Sequence, residues 1–363
     1  MNKTEKMLKG YGFDDVTIIP YAENSIKSRG EIGINFNELI YVSPMDSIIN
    51  DANIDFFRNR GIIVPQVRNM WKNDKLANSG YVTFSLSEAK NLIDHKESDE
   101  FEYMSNQLKN NKKVNLLIDI ANGHLTELWS VCSQIKSYYK DYLYLIIGNI
   151  ANPNTYKHIC DMEIADAVRV GIGGGSRCHT SSKTAIHYPI ISLLSTIKDI
   201  KDKYNYKVDI IADGGIKNSS DIIKCFCAGA DKVMMGSVFA KTLESAGKKF
   251  FTDEDKYILP VMDAKIDGID IDMVERYRSG QTIYSEYRGM STKDVQIKEG
   301  KAAPTYEEGF IENIKVEYML DELLIEINNS LRSAFSYCNA RTLSEFYTTS
   351  IFIQNFNNNH NSL

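Results

Sequence analysis

The stretch KVDIIADGGIKNSSDIIKCFCAGADKVMMGS, residues 207–237, decides the fold. It opens on a short apolar run that ends in an acid, KVDIIAD at 207–213. A glycine pair follows, then a helix-like segment from Ser219 to Ala228, then a second apolar run, DKVMMG at 231–236. Runs this short, apolar throughout rather than alternating, have the pattern of parallel strands covered on both faces. The same unit recurs upstream, in LIYVSP (39–44), GIIVPQ (61–66), YVTFSL (81–86), VNLLIDI (114–120), LYLIIGN (143–149) and AVRVG (167–171). Helix-like patterns fill most of the gaps, as from Ala151 to Ile164 and from Pro189 to Tyr204. Eight strands alternating with helices predict an α/β fold, a closed (β/α)8 TIM barrel. A doubly wound open sheet is the rival, and the lack of GxGxxG in the first strand-to-helix turn weighs against it.

A length of 363 residues allows two domains or one barrel with insertions, and the strand pattern favours a single barrel domain over 1–363. Beyond the eighth strand, residues 247–330 are charged, Tyr-rich and poor in strand signals, a long excursion of the kind that carries function. The final FNNNHNSL is polar and reads as a frayed end. Hydrophobic residues make up 43% and charged residues 25%, which supplies a large core and excludes disorder. Forty-two Lys and Arg against 48 Asp and Glu give a net charge of −6, which argues against nucleic acid as a partner. One small phosphate ligand held by backbone N–H groups is still compatible with that charge. No apolar run reaches the roughly 18 residues of a membrane helix, and MNKTEKMLKGYG lacks the apolar region of a secretory signal, so a cytoplasmic protein with no membrane partner is expected. The six cysteines form no CxxC pair and read as reduced thiols, and the six histidines show no HExxH spacing.

In a barrel of this kind the reactive groups sit on the loops that follow the strands. After the sixth strand comes GIGGGSRCHT, 171–180, whose glycines allow the backbone to fold tightly around an ion. Cys178 lies there between Arg177 and His179. Positive neighbours lower a thiol pKa, and the thiolate is a nucleophile. A lone cysteine is more often a small buried hydrophobe; this loop reverses that preference, whereas Cys225 and Cys227, inside the next helix, read as packing residues. After strands seven and eight come ADGGIKNSSD (212–221) and MGSVFAKT (235–242). Gly214, Gly215, Gly236 and Ser237 would let backbone N–H groups and a hydroxyl reach phosphate oxygens, and Asp213 would accept from a sugar diol. Either loop alone reads equally as turn glycines and a helix cap. After strand four, DIANGH (119–124) offers Asp119 and Asn122 at the mouth, while His124 alone reads as a structural histidine.

Together these segments resemble the IMP dehydrogenase/GMP reductase family. GFDDVTIIP (12–20), SPMDS (43–47), GIGGGSRCHT, IADGGIKNSSDIIKCFCAGADKVMMGS (211–237), YRGMS (287–291) and LRSAFSYCNARTLSEF (331–346) occur in the family's order. The resemblance implies a TIM barrel, usually a homotetramer, acting at carbon 2 of a purine nucleotide, GMP or IMP. Four features resemble the reductase branch. They are SIKSRGEI (25–32), DIANGH, the Tyr188–Pro189 pair in KTAIHYP (183–189), and the lack of any Arg between Arg288 and Arg332, where dehydrogenases carry a water-activating Arg–Tyr pair. A regulatory CBS pair, usual in dehydrogenases, is not expected in this chain. Departures from the family pattern are Gly174 for Pro, Arg177, His179 and Ser181 around the cysteine, and Gln66 where reductases carry a catalytic Lys. The stretch 248–286 reads as an insertion and 287–310 as a mobile flap.

Carried over residue by residue, the resemblance implies a nucleotide phosphate near Ser176, Gly214, Gly215, Gly236, Ser237 and Tyr287, a ribose on Asp213, and a base against Met290 and Ser291. Cys178 would be the nucleophile, with Thr180 and Glu308 as the proton relay and Glu299 as a second candidate for the acid. NADPH would lie against Asp119, Ala121, Asn122 and Gly173, with Ser28 and Arg29 reaching it from a neighbouring subunit. Gly173, Gly175 and Cys178 would shape a potassium site. A CBS-free IMP dehydrogenase and a nucleotide-binding barrel without catalysis are the alternatives.

Overall fold

The computed structural model describes residues 9–72, 80–94, 97–174, 184–253, 256–258, 265–266, 269–288 and 311–355, with backbone alone between 252 and 270. Strand β1 is Val16–Ile19, β2 Ile40–Val42, β3 Tyr81–Phe84, β4 Val114–Asp119, β5 Leu143–Ile150, β6 Ala167–Val170, β7 Asp209–Asp213 and β8 Lys232–Met235. Seven of them form one parallel sheet in the order β2-β8-β7-β6-β5-β4-β3. The run 61–66 joins its β2 edge through a single parallel bridge, Tyr41 to Ile63, rather than through a ladder. There Val42 N–H donates to the Ile63 carbonyl and Ile63 N–H to the Ile40 carbonyl, both at 2.9 Å.

The sheet curls upon itself. Tyr41 of β2, Leu117 of β4, Ile146 of β5, Ala167 of β6, Ile211 of β7 and Met234 of β8 pack with Ile63 and Tyr144 into one buried cluster. Side chains from strands spread over the sheet share a core only if its inner face is concave. The outer face is covered by helices, so both faces are apolar and the strands read as continuous hydrophobic runs.

Local signals fix where each helix starts. Asn152 accepts from the Asn154 N–H ahead of Pro153–Asp161, with Pro at the first helical position. Asn218 accepts from the Asp221 N–H ahead of Ser219–Cys227. At the C-terminal end, the helix Leu320–Tyr337 places Phe335 between the rings of Phe36, edge-on at 5.0 Å, and Phe346, stacked at 4.1 Å. Strand β1 pairs antiparallel with Ile351–Gln354, outside the parallel sheet. No helix among the described residues is long and apolar enough to cross a membrane.

The excursion after β8 differs from the expectation of a strand-poor segment. It contains β9 Lys249–Asp253, β10 Lys256–Ile258, β11 Lys265–Ile266, β12 Ile269–Asp270, β13 Ile283–Arg288 and β14 Ile311–Lys315. Four of these build an antiparallel sheet in the order β10-β9-β13-β14. The reason they escape a search for apolar runs is visible in β13. Ile283, Ser285 and Tyr287 are buried, while Tyr284, Glu286 and Arg288 alternate with them at the surface. Phe251, Met273, Ile283 and Val316 make a small core of their own with Leu243, and Tyr287 and Ile314 join the main core, which fastens this sheet to the parallel one.

Candidate active site

The C-terminal ends of the parallel strands carry a buried ionic network. Arg169 of β6 donates from Nη1 to Asp119 Oδ1 at 2.5 Å and from Nη2 to Asp213 Oδ2 at 2.8 Å, with Nε 3.2 Å from the same Oδ2. Arg68, beyond the 61–66 run, brings Nε to 3.2 Å from Asp119 Oδ2. Asn149, near the end of β5, donates from Nδ2 to Asp213 Oδ2 at 2.6 Å and to the Gly171 carbonyl at 2.9 Å. Three of the four groups, Asp119 and the two guanidiniums, sit in or against β4, β6 and the 61–66 run; Asp213 ends β7. The charges sum to zero, which is what allows such groups to be buried together. Burial by itself would raise the Asp119 carboxyl, but the charges of Arg169 and Arg68 hold it below the usual carboxylate range. Burial likewise opposes the Arg169 charge, and Asp213 and Asp119 more than compensate it.

Asp213 is therefore presented asymmetrically. Among the described residues, every side-chain hydrogen bond it makes falls on Oδ2 and none on Oδ1. Loops flank it on both sides. Gly171, at the end of β6, has φ +134°, and a Cβ there would lie 2.1 Å from the Asp213 carbonyl oxygen. The loops after β6 and β7 meet where a Cβ on Gly215 would be 2.9 Å from the Gly174 carbonyl. Phe13 lies over the same turn, and its carbonyl accepts from Lys224 Nζ at 2.9 Å, so the GFDD segment closes onto the glycine loops.

After β8, Gly236 and Ser237 are half-buried. A Cβ on Gly236 would meet the Tyr287 hydroxyl at 2.9 Å, Met45 Sδ at 3.2 Å and Ser43 Oγ at 3.5 Å. This brings Tyr287 and the SPMDS segment beside Gly236. Arg288 fastens β13 in place, through Asp46 Oδ2 at 2.9 Å, Glu286 Oε1 at 3.3 Å and its own N–H to Ser47 Oγ at 3.3 Å. Below Tyr287, Lys249 Nζ donates to the Ser245 carbonyl at 2.7 Å, Ser245 Oγ at 2.9 Å, Ser285 Oγ at 3.0 Å and the Gly247 carbonyl at 3.1 Å. Lys249 is half-buried as a residue, and its amine is ringed by these neutral acceptors. Burial pulls the amine down to about 7, against the opposing pull of Glu244. Burial pushes the Glu244 carboxyl up to about 6.

Asp119, Asp213, Gly214, Gly215, Gly236 and Tyr287 thus stand around one mouth, with Gly173 and Ser237 on its loops. Ala121 and Asn122 are exposed beside Asp119, and Asn122 Oδ1 accepts from the His124 N–H at 3.1 Å. Ser28 and Arg29 are exposed, and Ser28 Oγ accepts from the Gly30 N–H at 3.2 Å. Gly175, Ser176, Cys178, Thr180, Met290, Ser291, Glu299 and Glu308 lie outside the described residues. Among the described residues no cluster of three or more His, Cys, Asp or Glu could hold a metal.

His124 is structural, as its isolation suggested. Its Nε2 accepts from the Ala151 N–H at 3.1 Å, which leaves Nδ1 to donate to Thr155 Oγ1 at 2.8 Å, and burial lowers the pKa of the ring. Cys225 and Cys227 are packing residues, and burial raises both thiols, Cys227 to about 12. Gln66 is fully buried and donates to the Tyr103 hydroxyl at 2.9 Å, which ties the mouth to the helix Asp99–Asn110. Sequence reasoning missed Arg169, Asn149 and Arg68. The signal was present in AVRVG, where an arginine interrupts an apolar strand. A charge buried in a sheet needs partners, and Asp119 and Asp213 end the nearby strands.

A parallel, inward-curled α/β sheet with glycine loops and a buried carboxylate at its strand ends is an arrangement of the barrel type, in which ligands bind at the C-terminal ends of the strands. Residues 95–260 match the family model described as the IMP dehydrogenase / GMP reductase domain. That stretch is a little under half of the chain, and over it the chain is similar to that family. It is 32% identical over 239 residues to the inosine-5′-monophosphate dehydrogenase of Chlorobaculum tepidum, covering 65% of this chain and 44% of that one. It is 30% identical over 241 residues to the GMP reductase of Buchnera aphidicola subsp. Schizaphis graminum, covering 66% and 60%. A third relative, the inosine-5′-monophosphate dehydrogenase of Borreliella burgdorferi, is 29% identical over 239 residues, covering 66% and 54%. The chain spans about half the length of these relatives.

Proposed function

We propose that the protein is a GMP reductase, converting GMP to IMP and ammonia with NADPH. The observation that carries the nucleotide reading is Asp213, with one oxygen locked by Arg169 and Asn149 and, among the described residues, no partner on the other, beside the glycine turns after β6 and β7. An acceptor fixed in that way suits the hydroxyls of a sugar, and Gly215, Gly236 and Ser237 lie on the flanking loops where a phosphate would be cradled. The reductase branch rests on the flap sequence, which has no Arg between Arg288 and Arg332 to activate water. The finer architecture belongs to the same proposal: a closed eight-stranded barrel, a 248–286 insertion, a 287–310 flap, and a homotetrameric cytoplasmic enzyme with a potassium ion at Gly173, Gly175 and Cys178.

The chemistry follows from the residues. The Cys178 thiolate attacks carbon 2 of the purine, which is electrophilic because it lies between two ring nitrogens. The tetrahedral adduct must lose its amino group, and an amine departs only when protonated, so Thr180 and Glu308 deliver a proton and ammonia leaves. Carbon 2 is then held as a thioimidate on Cys178. The reduced nicotinamide, when bound along Asp119, Ala121 and Asn122, supplies the hydride for carbon 2. Collapse of that adduct expels the thiolate and gives IMP. Ser28 and Arg29 would hold the adenosine end, where a guanidinium favours a 2′-phosphate.

The Chlorobaculum and Borreliella relatives, both named as dehydrogenases, favour a second reading: oxidation of IMP to XMP with NAD+ through the same cysteine. A paired assay of nicotinamide absorbance separates the two. Oxidation of NADPH with GMP is the expected result. Reduction of NAD+ with IMP alone overturns the reductase reading, and tight nucleotide binding without turnover of either pair leaves a barrel that has lost catalysis.

A further inference from the structure

Arg169 does more than neutralise a neighbour. Its guanidinium is a rigid plane, and one edge faces Asp119 while the other faces Asp213. Arg169 itself is 7% exposed, so this geometry is held by packing. We infer that Arg169 is a positioning residue that couples the two ligand subsites of the mouth, with a state change at Asp119 felt at Asp213 through its guanidinium. The inference rests on the purine-nucleotide reading above, which places the mononucleotide sugar on Asp213 and the nicotinamide half of the second ligand beside Asp119.

Asp119 divides its oxygens between two guanidiniums, Oδ1 to Arg169 and Oδ2 to Arg68. Asp213 gives only Oδ2 to Arg169, and Asn149 supports that same oxygen. Two acids and two bases balance. Neutralising Asp119 leaves one excess positive charge, and the nearest remaining anion is Asp213. Arg169 then leans on Asp213 alone, which draws the carboxylate inward and makes Oδ1 a poorer acceptor for a sugar hydroxyl. In the other direction, a ligand that engages Asp213 changes the hold of Arg169 on Asp119, because coupling between sites is reciprocal. A lysine at 169 is a single point charge and cannot span both acids.

The test is a double-mutant cycle read by calorimetric titration of GMP and of IMP, with no dinucleotide present. Asp119→Asn, Arg169→Lys and the double variant are compared with the parent. Asp119 lies outside the mononucleotide subsite, yet Asp119→Asn is expected to weaken nucleotide binding by about fivefold or more, in the range seen for residues sharing one network. Arg169→Lys weakens it as well, and adding Asp119→Asn to Arg169→Lys costs less than about twofold more. A merely structural role would lower the melting temperature of each variant while their effects on affinity multiplied. If Arg169→Lys does not fold, the Asp119→Asn titration alone decides. Unchanged affinity in Asp119→Asn, or losses that multiply in the double variant, overturn the inference while the function stands. A parent that binds neither GMP nor IMP defeats the purine reading and this inference with it.

Discussion

Gly171→Ala should damage the mouth severely. The residue has φ +134°, and an added Cβ would lie 2.1 Å from the Asp213 carbonyl oxygen. Real Cβ contacts essentially never fall below 3.0 Å, so that oxygen, or the end of β6, must move by the difference, 3.0 − 2.1 = 0.9 Å. Backbone cannot swing away as a side chain can. The move would strain the Asn149 bond to the Gly171 carbonyl, 2.9 Å, and the Gly171 N–H bond to the Ile150 carbonyl, 2.8 Å. A residue forced into a glycine-only conformation costs about 1–3 kcal/mol. Overpacking a rigid site adds about 1–3 kcal/mol. The total, about 2–6 kcal/mol, is a large share of the roughly 5–15 kcal/mol that holds a domain folded. Gly280→Ala is the control, because Gly280 has φ +87° with nothing within 4 Å of its added Cβ. Urea unfolding of the two variants isolates the clash from the conformational cost. Gly171→Ala should lose at least about 1 kcal/mol more than Gly280→Ala. Equal losses would refute the close approach of β6 and β7, and with it the placement of Asp213.

Other outcomes follow from the same geometry. Lys249→Met should flatten the dependence of stability on alkaline pH. The folded amine titrates near 7 and the unfolded one near 10.4, so the unfolded chain binds more protons between those values; stability from this group rises across the window and is lost as pH falls through about 7. The comparison is variant against parent, since buried cysteines and tyrosines titrate in the same range with the opposite sign. Parallel unfolding curves for the two at about pH 7 and about pH 10 would contradict it. Gly236→Ala puts a methyl 2.9 Å from the Tyr287 hydroxyl, and should weaken nucleotide binding about tenfold with little change in melting temperature; unchanged affinity would remove Gly236 from the phosphate subsite. Glu308→Gln should slow ammonia release by about a hundredfold or more and Glu299→Gln should not, with a stopped-flow ammonia assay as the measure; the reverse order would shift the flap register to Glu299.

The seven strands of the parallel sheet were legible because burial on both faces leaves runs dominated by apolar residues, as in LYLIIGN and KVDIIAD. The 61–66 run was legible as apolar, but a single bridge at Ile63 is set by the geometry of its neighbours and not by its composition. Strands β13 and β14 were hidden by the opposite circumstance. They are antiparallel and half-exposed, so Glu286, Arg288 and Glu312 interrupt them, and their identity lies in a two-residue alternation. In the site, the strand-end rule located Asp119, Asp213 and the glycine turns, since those positions follow from where each apolar run stops. Arg169 escaped because it sits within a run rather than after it, and its role exists only once β4 and β7 are brought to either side. Gln66 was legible as a departure from a family lysine; its bond to Tyr103 depends on the docking of a helix more than thirty residues away.

The proposed chemistry turns on a covalent bond between Cys178 and carbon 2 of a purine nucleotide. Intact-protein and peptide mass spectrometry on enzyme quenched in acid during turnover of GMP and NADPH tests it directly. The expected result is an added purine nucleotide on the peptide that contains Cys178, lost in Cys178→Ala together with turnover. Turnover that persists in Cys178→Ala, or an adduct carried on another residue, would contradict it.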